Sequence, residues 1–253
     1  MTSEPVNPGG ETGSDAFPDD GRVRGLFTDR SGGTSSRPYE SLNLGGAVGD
    51  NAAAVATNRA RVAAAAGLGP SAVVWMRQVH GTEVTPVAVP GESLPDTDGI
   101  VTASSGVGLA VLVADCVPIL LADPGAGVIG AVHAGRLGAA GGIALRALDK
   151  MVDLGASVER IEVVLGPAIC GRCYEVPARM RDEVEAELAG SASTTDRGTP
   201  GLDLRAGLAR QLRQAGVHGV DVDPRCTFTS AELFSHRRGA PSGRFAGLIW
   251  LPD

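Results

Sequence analysis

Apolar and polar positions are distributed unevenly along this chain, and residues 108–134 are almost uninterrupted apolar sequence. The runs GLAVLVA (108–114), PILLAD (118–123) and GVIGAVHA (127–134) hold no polar residue except near their ends. That pattern predicts central strands buried on both faces. Shorter β-like runs are VRGLFTDR, with order beginning near Arg22, then VVWM (73–76), EVTPVAV (83–89), GIVTA (99–103), IEVVLG (161–166) and the closing RFAGLIWL. Helices are predicted over Asn51–Ala66, with Asp50 as N-cap and Gly67 as stop, and over Leu137–Leu154, Pro177–Leu188 and Leu202–Ala215, the last opened by Asp203. Residues 189–201 read as a loop. Strands and helices mix without a steady βαβ repeat, so the expectation is an α+β (mixed α/β) domain, mixed sheets covered by helices. No internal repeat and no linker after residue 22 divides residues 22–253.

Two stretches lack any period. Residues 1–21 are rich in Pro, Gly, Ser and acids and are expected to be disordered. SGGTSSRPYESLNLGGAVGDN is a long aperiodic loop inside the domain, of the kind that is either functional or disordered. With the residue before it, it carries Arg30, Ser35, Tyr39, Asn43 and Asp50.

Composition removes several classes. Over 253 residues the net charge is −7, which argues against a nucleic-acid binder working through a basic face. No apolar run approaches the ~20 residues of a membrane span. The N-terminus has neither the basic nor the apolar region of a signal peptide. With four cysteines this favours a cytoplasmic protein without disulfides. Lys150 is the single lysine, and no GxxxxGK[ST] run exists, so a P-loop is excluded.

The remaining chemistry concentrates at strand ends. His80 lies in WMRQVHGTEV, Cys116 at the break in VADCVPILLAD, and His133 before the glycine-rich turn of GAVHAGRLGAAGG. Two imidazoles and a thiolate suit Zn²⁺ with a fourth position left open, the pattern of a catalytic site. Cu²⁺ takes the same ligands. Most single histidines and buried cysteines only pack, and a Cys116 nucleophile with His80 or His133 as base uses the same residues. Residue types leave metal centre and hydrolase both open. Asp115 is a candidate supporting or acid–base carboxylate. Cys170 and Cys173 form a CxxC in a turn, and Cys226 reads as structural. Arg136, at a helix start, and Arg59 are candidate anion ligands. Arg30 and the Arg237–Arg238 pair lie in segments that could join them, and His236 is either a fourth ligand or a surface residue.

FTDRSGGTS, PYESLNLG, VGDN with NR at 58–59, QVHGTEV, DGIVT, LAVLVADCVPILLAD, AVHAGRLG, LGPAICGRCYEV, LFSHRR and GRFAGLIWL are carried in order. With them the chain resembles the laccase-domain family over about Arg24 to Leu251. That family is labelled polyphenol oxidoreductase, peptidoglycan editing factor and, more recently, zinc-dependent purine nucleoside phosphorylase. The resemblance implies a layered mixed-sheet sandwich and a cytoplasmic enzyme. It implies metal ligands His80, Cys116 and His133, with zinc as cofactor and copper as the alternative. The implied reaction is phosphorolysis of adenosine, inosine, guanosine or methylthioadenosine, with adenosine deamination as a side activity. The partners are then a purine nucleoside and phosphate, not nucleic acid or membrane. For that reaction Asp115, Cys116 and Arg136 are the catalytic candidates, and Asn43, Arg59, Gln78 and Tyr174 the substrate-binding ones. Three departures stand out: HAGRLG replaces the family's HAGWRG, Cys170 replaces a small residue, and SHRR replaces SYRR. Arg136 is expected to compensate for the first by curling back over the turn. The alternatives are a copper polyphenol oxidase, for which four histidines are few, a Cys-dependent hydrolase of peptidoglycan precursors, and a non-enzymatic envelope partner docked through the acidic tail.

Overall fold

Residues 108–134 form the centre of the molecule, as their apolar runs require. The computed structural model describes residues 13–17, 21–90 and 94–252. In chain order its elements are β1 (Gly13–Asp15), β2 (Arg24–Thr28), α1 (Ala52–Ala65), β3 (Val73–Trp75), β4 (Val84–Pro86), β5 (Gly99–Thr102), β6 (Gly108–Val113), β7 (Val117–Asp123) and β8 (Val128–Ala134). There follow α2 (Arg136–Ala140), α3 (Ile143–Asp153), β9 (Glu162–Leu165), α4 (Ala178–Glu187), β10 (Ala192–Thr194), β11 (Pro200–Leu202), α5 (Leu204–Gln214), β12 (Gly219–Val222) and β13 (Phe245–Trp250).

Two mixed sheets stack. One has the order β1-β2-β13-β6-β3, the other β12-β9-β7-β8-β5-β4, and β10-β11 is a separate hairpin. Alternation along the strands decides which layer each side chain enters. On β7, Leu120 and Ala122 face the inter-sheet core with Phe27, Leu109, Val111, Phe245 and Ile249. Ile119 and Leu121 face the opposite layer, against Ile143, Ala147, Met151 and Leu208 of α3 and α5. On the far side, Val62 and Ala63 of α1 cover Leu26, Ala110, Ala246 and Leu248. The result is an α/β/β/α sandwich, the α+β architecture expected. The apolar runs are uninterrupted because both strand faces are covered.

The break at 114–116 has a topological cause: β6 pairs with β13 in one sheet and β7 with β8 in the other. The chain crosses between sheets there, and Asp115 adopts φ 100° to make the step.

Several local expectations are corrected. The helix over 137–154 is two helices, broken at Gly141–Gly142, where Gly142 takes φ 80°. The cap of α1 is Asn51, whose side-chain oxygen accepts the amides of Ala53 and Ala54. Asp50 turns away to Ser35 and Asn43. The 189–201 loop contains the β10-β11 hairpin, and β12 forms where no strand was predicted, beside β9. Of the tail expected to be disordered, Gly13–Asp15 is a strand on β2, anchored by buried Phe17. The rest of that expectation, residues 1–12 and 18–20, lies outside the described residues.

Candidate active site

At one end of the sandwich, segments from both sheets enclose a cleft of about 670 Å³, within the usual range for small-molecule sites. His80, Cys116 and His133 line one wall. Their ligand atoms all lie within 4.8 Å of one another. Cys116 Sγ is 3.9 Å from His80 Nε2, and the two imidazole rings meet edge to face at 4.7 Å.

The three residues come from three kinds of backbone. His133 sits on β8 beside β7, fixed by the ladder. Cys116 follows the strained crossover at Asp115. His80 is on a turn at φ 63°, a left-handed position that a non-glycine residue adopts at a cost. That turn is held by Asp98, which is fully buried. Its carboxylate accepts the amides of Val79, His80 and Gly81 at 3.1, 2.9 and 2.7 Å. The same carboxylate receives His133 Nδ1 at 2.7 Å. One buried group therefore sets both histidines. With Nδ1–H given to Asp98, His133 presents Nε2 to the cleft, the usual arrangement behind a metal-ligating histidine.

Electrostatics agree with a thiolate site. Burial pushes the Cys116 thiol up, but hydrogen bonds and charge from His133 and His80 outweigh it and bring it down to about 6. Burial lowers His133, yet Asp98 and Cys116 raise it to about 9. Burial raises the Asp98 carboxyl, and the His133 and amide donors overcome this and hold it below its ordinary value. Gly135 makes room for the group: a Cβ there would sit 2.7 Å from His80 Cδ2 and 3.3 Å from Cys116 Sγ. A donor set of two imidazoles and one thiolate, backed by a buried carboxylate, fits a tetrahedral Zn²⁺ with an open position.

Guanidinium groups dominate the rest of the cleft. Arg59, Arg77, Arg136, Arg237 and Arg244 line it, against the single carboxylate of Asp115. Arg59 gives Nε to Leu44 O and lies 4.3 Å over Trp75. Arg237 binds Glu175 O and stacks on Tyr174 at 4.9 Å. Arg244 binds the carbonyls of Ser242 and Gly243. Arg77 pairs with Asp96. These backbone anchors fix orientation while leaving further N–H groups toward the cleft. Arg136 begins α2 and lines the cleft.

Other candidates have different duties. Asn43 lies behind the cleft, fully buried. Its amide holds Asp50 and Gly45 O and accepts the amides of Gly45 and Arg244, so it shapes the 43–50 loop and cannot also bind substrate. Gln78 lines the cleft but clasps both backbone groups of Leu112, tying the His80 segment to β6. Asp115 accepts Thr227 and Ser235 hydroxyls at 2.6 Å and the Arg237 amide at 2.7 Å, a clamp on the crossover. Tyr174 lines the cleft. His236 also lines it but is outside the ligand group, and Arg238 is absorbed by loop carbonyls. Arg30 stacks on Phe234 away from the cleft. Sequence reasoning missed Asp98, Trp75 and Arg244. The DG before β5 was its only trace of Asp98.

A family model described as multi-copper polyphenol oxidoreductase laccase matches residues 24–252. The chain belongs to that family. A relative named purine nucleoside phosphorylase from Mycobacterium tuberculosis is 58% identical over 231 residues, covering 91% of this chain and 92% of the relative. One of the same name from Streptomyces coelicolor is 52% identical over 227 residues, covering 89% and 94%. Among solved structures, YlmD from Geobacillus stearothermophilus aligns with a TM-score of 0.86 at 33% identity, covering 94% of this chain and 100% of that one. A Neisseria meningitidis protein aligns at 0.85 with 35% identity, covering 96% and 98%. Mixed sheets, helical covering layers and the single domain match these neighbours. Among the described residues, no helix is long and apolar enough to cross a membrane.

Proposed function

We propose that the unit from residue 22 onward is a zinc-dependent purine nucleoside phosphorylase. It would convert adenosine, inosine, guanosine or methylthioadenosine, with phosphate, to the free base and the pentose 1-phosphate. The observation that carries this reading is the juxtaposition in one cleft of the His80–Cys116–His133 group with the guanidinium groups of Arg59, Arg136, Arg237 and Arg244, in a protein of net charge −7. An acidic protein that gathers arginines around a pocket is built for a small anion. The names of the relatives supply the reaction.

Phosphate is held by Arg59 and Arg136, with Arg244 adding charge. The nucleoside lies against Met76, Val113 and Tyr174, which line the same cleft. As the bond at C1′ breaks, positive charge grows on the sugar and negative charge on the purine. The guanidinium-held phosphate lies beside the sugar, stabilises that charge and then bonds to C1′. Positioning and fixed electrostatics carry the rate. Bound zinc would supply a Lewis acid for a substrate oxygen or an activated water, the latter allowing deamination of adenosine. Asp98 keeps His133 in the required tautomer, and the Asp115 clamp keeps Cys116 at the cleft.

Arg59→Met and Arg136→Met test the phosphate site. Losing a charged hydrogen bond costs about 1.5–3 kcal/mol, so the KM for phosphate should rise by about tenfold to a hundredfold. An unchanged KM in both would remove phosphate from this wall.

The geometry of Cys116, His133 and Asp98 also favours a second reading, a thiol hydrolase with a Cys–His–Asp relay, consistent with a peptidoglycan-editing role. The thiol lowered to about 6 and the 2.7 Å His133–Asp98 bond support it. Activity abolished by alkylation yet untouched by chelators would select it over the metal enzyme.

A further inference from the structure

Three cysteines outside the catalytic group converge elsewhere in the fold. β9 and β12 are parallel neighbours, so their C-terminal ends emerge side by side. Beyond β9, Cys170 and Cys173 close a tight turn, with the amides of Cys173 and Tyr174 both bonded to Cys170 O at 2.9 Å. Beyond β12, Cys226 is bridged to Ala168, and its Sγ accepts the Cys170 amide at 3.4 Å. The three sulfur atoms lie within 4.8 Å of one another.

We propose that Cys170, Cys173 and Cys226 form a second metal site, a trithiolate for a thiophilic cation, with Zn²⁺ the fitting occupant. At about 2.3 Å per Zn–S bond in tetrahedral geometry, bound thiolates stand about 3.8 Å apart. With no two sulfurs more than 4.8 Å apart, reaching that spacing asks for an approach of about 1 Å or less. No imidazole or carboxylate among the described residues joins the three sulfurs. An all-sulfur donor set excludes Mg²⁺ and Ca²⁺ and selects Zn²⁺ or Cu⁺. The amide directed at Cys226 Sγ is the kind of outer partner that stabilises a thiolate ligand. Cys226 is buried and the other two are half-exposed, which leaves an entry path and a fourth position for water. On binding, each thiol releases its proton to solvent as its sulfur bonds the cation, and no electrons change hands.

The site also bears on the cleft. Tyr174 follows Cys173 directly, and the Ile169 amide bonds Asp115 O at 3.0 Å. A cation joining the turn to Cys226 thus stiffens the wall that carries Tyr174 and the crossover beside Cys116. The site stands independently of the phosphorylase reading, because its ligands are not those of the cleft.

The test is zinc stoichiometry on full-length reduced protein, stripped with chelator and reloaded with Zn²⁺. Wild type is expected to retain two equivalents. His80→Ala/Cys116→Ala, checked for folding by circular dichroism, is expected to retain one. Adding Cys170→Ser/Cys173→Ser to that variant should remove it. Co²⁺ loaded into His80→Ala/Cys116→Ala should show near-ultraviolet thiolate charge transfer, which Cys173→Ser weakens. A folded His80→Ala/Cys116→Ala protein that holds no Zn²⁺ would overturn the proposal. So would an intact mass, before reduction, lowered by the hydrogens of one Cys170–Cys173 disulfide, which would make the cluster a redox pair.

Discussion

Asp98 and Asp123 are built on one plan at different places in the six-stranded sheet. Each is fully buried and accepts three backbone amides and one basic side chain. For Asp123 the amides are those of Gly125, Ala126 and Ser157, and the cation is Arg160 at 2.9 Å. For Asp98 they are those of Val79, His80 and Gly81, and the side chain is the His133 imidazole. Three amides plus a charge is an efficient way to fix a turn against a sheet end. The difference lies in the fourth partner. Arg160 is always charged, half-exposed and points outward. His133 is buried, titratable and keeps a second nitrogen free for the cleft. A structural brace becomes part of a site when its basic partner, as a neutral imidazole, can also bind a metal.

Substitutions separate the two roles. The largest effect is expected from Cys116→Ala, which leaves both aspartates intact but removes the thiolate. Metal content of the cleft and phosphorolysis should disappear together, read by elemental analysis and product assay. Full activity in a cleft-metal-free Cys116→Ala protein would dissolve the distinction.

Asp98→Asn comes next. It keeps the shape but weakens control of the His133 tautomer, and metal affinity should fall by about 10–100-fold. Competition with a chromophoric chelator measures it, and an unchanged affinity would reduce Asp98 to a brace like its counterpart. Asp123→Asn should leave metal affinity alone and cost about 1–3 kcal/mol in urea unfolding.

Acid gives the smallest and most gradual effect. Burial raises both carboxyls, but His133 at Asp98 and Arg160 at Asp123, with the amides, hold them below the ordinary 3.8. A depressed carboxyl stabilises the fold above its unfolded-state value, and that stability is lost as pH falls through the lower folded value. Wild type should therefore lose stability below about pH 3.8, and Asp123→Asn should lose less. Equal acid sensitivity would mean that the brace at Asp123 contributes nothing to it.

The same two regions show what the sequence makes legible. Cys116 and His133 stand out because rare residue types end long apolar runs, which burial on both strand faces explains, and His80 because it follows the shorter run VVWM. Asp98 did not stand out, because an aspartate before a glycine reads as an ordinary turn residue and its four partners are brought to it only by folding. Arg244 was invisible for a similar reason: its place depends on Asn43, 201 residues away. Asn43 looked like a ligand by type, yet a buried amide must satisfy its own hydrogen bonds first. The Gly141–Gly142 break was written in the chain as a glycine pair, and apolar periodicity across it concealed the signal. The CxxC was visible, but its third cysteine came from the segment after β12, a strand that no pattern announced.

The central claim is metal-dependent phosphorolysis in the arginine-lined cleft. The most direct measurement is chromatography of bases and sugars after incubating protein of known metal content with adenosine, with and without phosphate. Adenine and ribose 1-phosphate in equal amounts, formed only with phosphate and lost on removal of the cleft metal, is the predicted result. No turnover of any purine nucleoside by metal-loaded protein would contradict it.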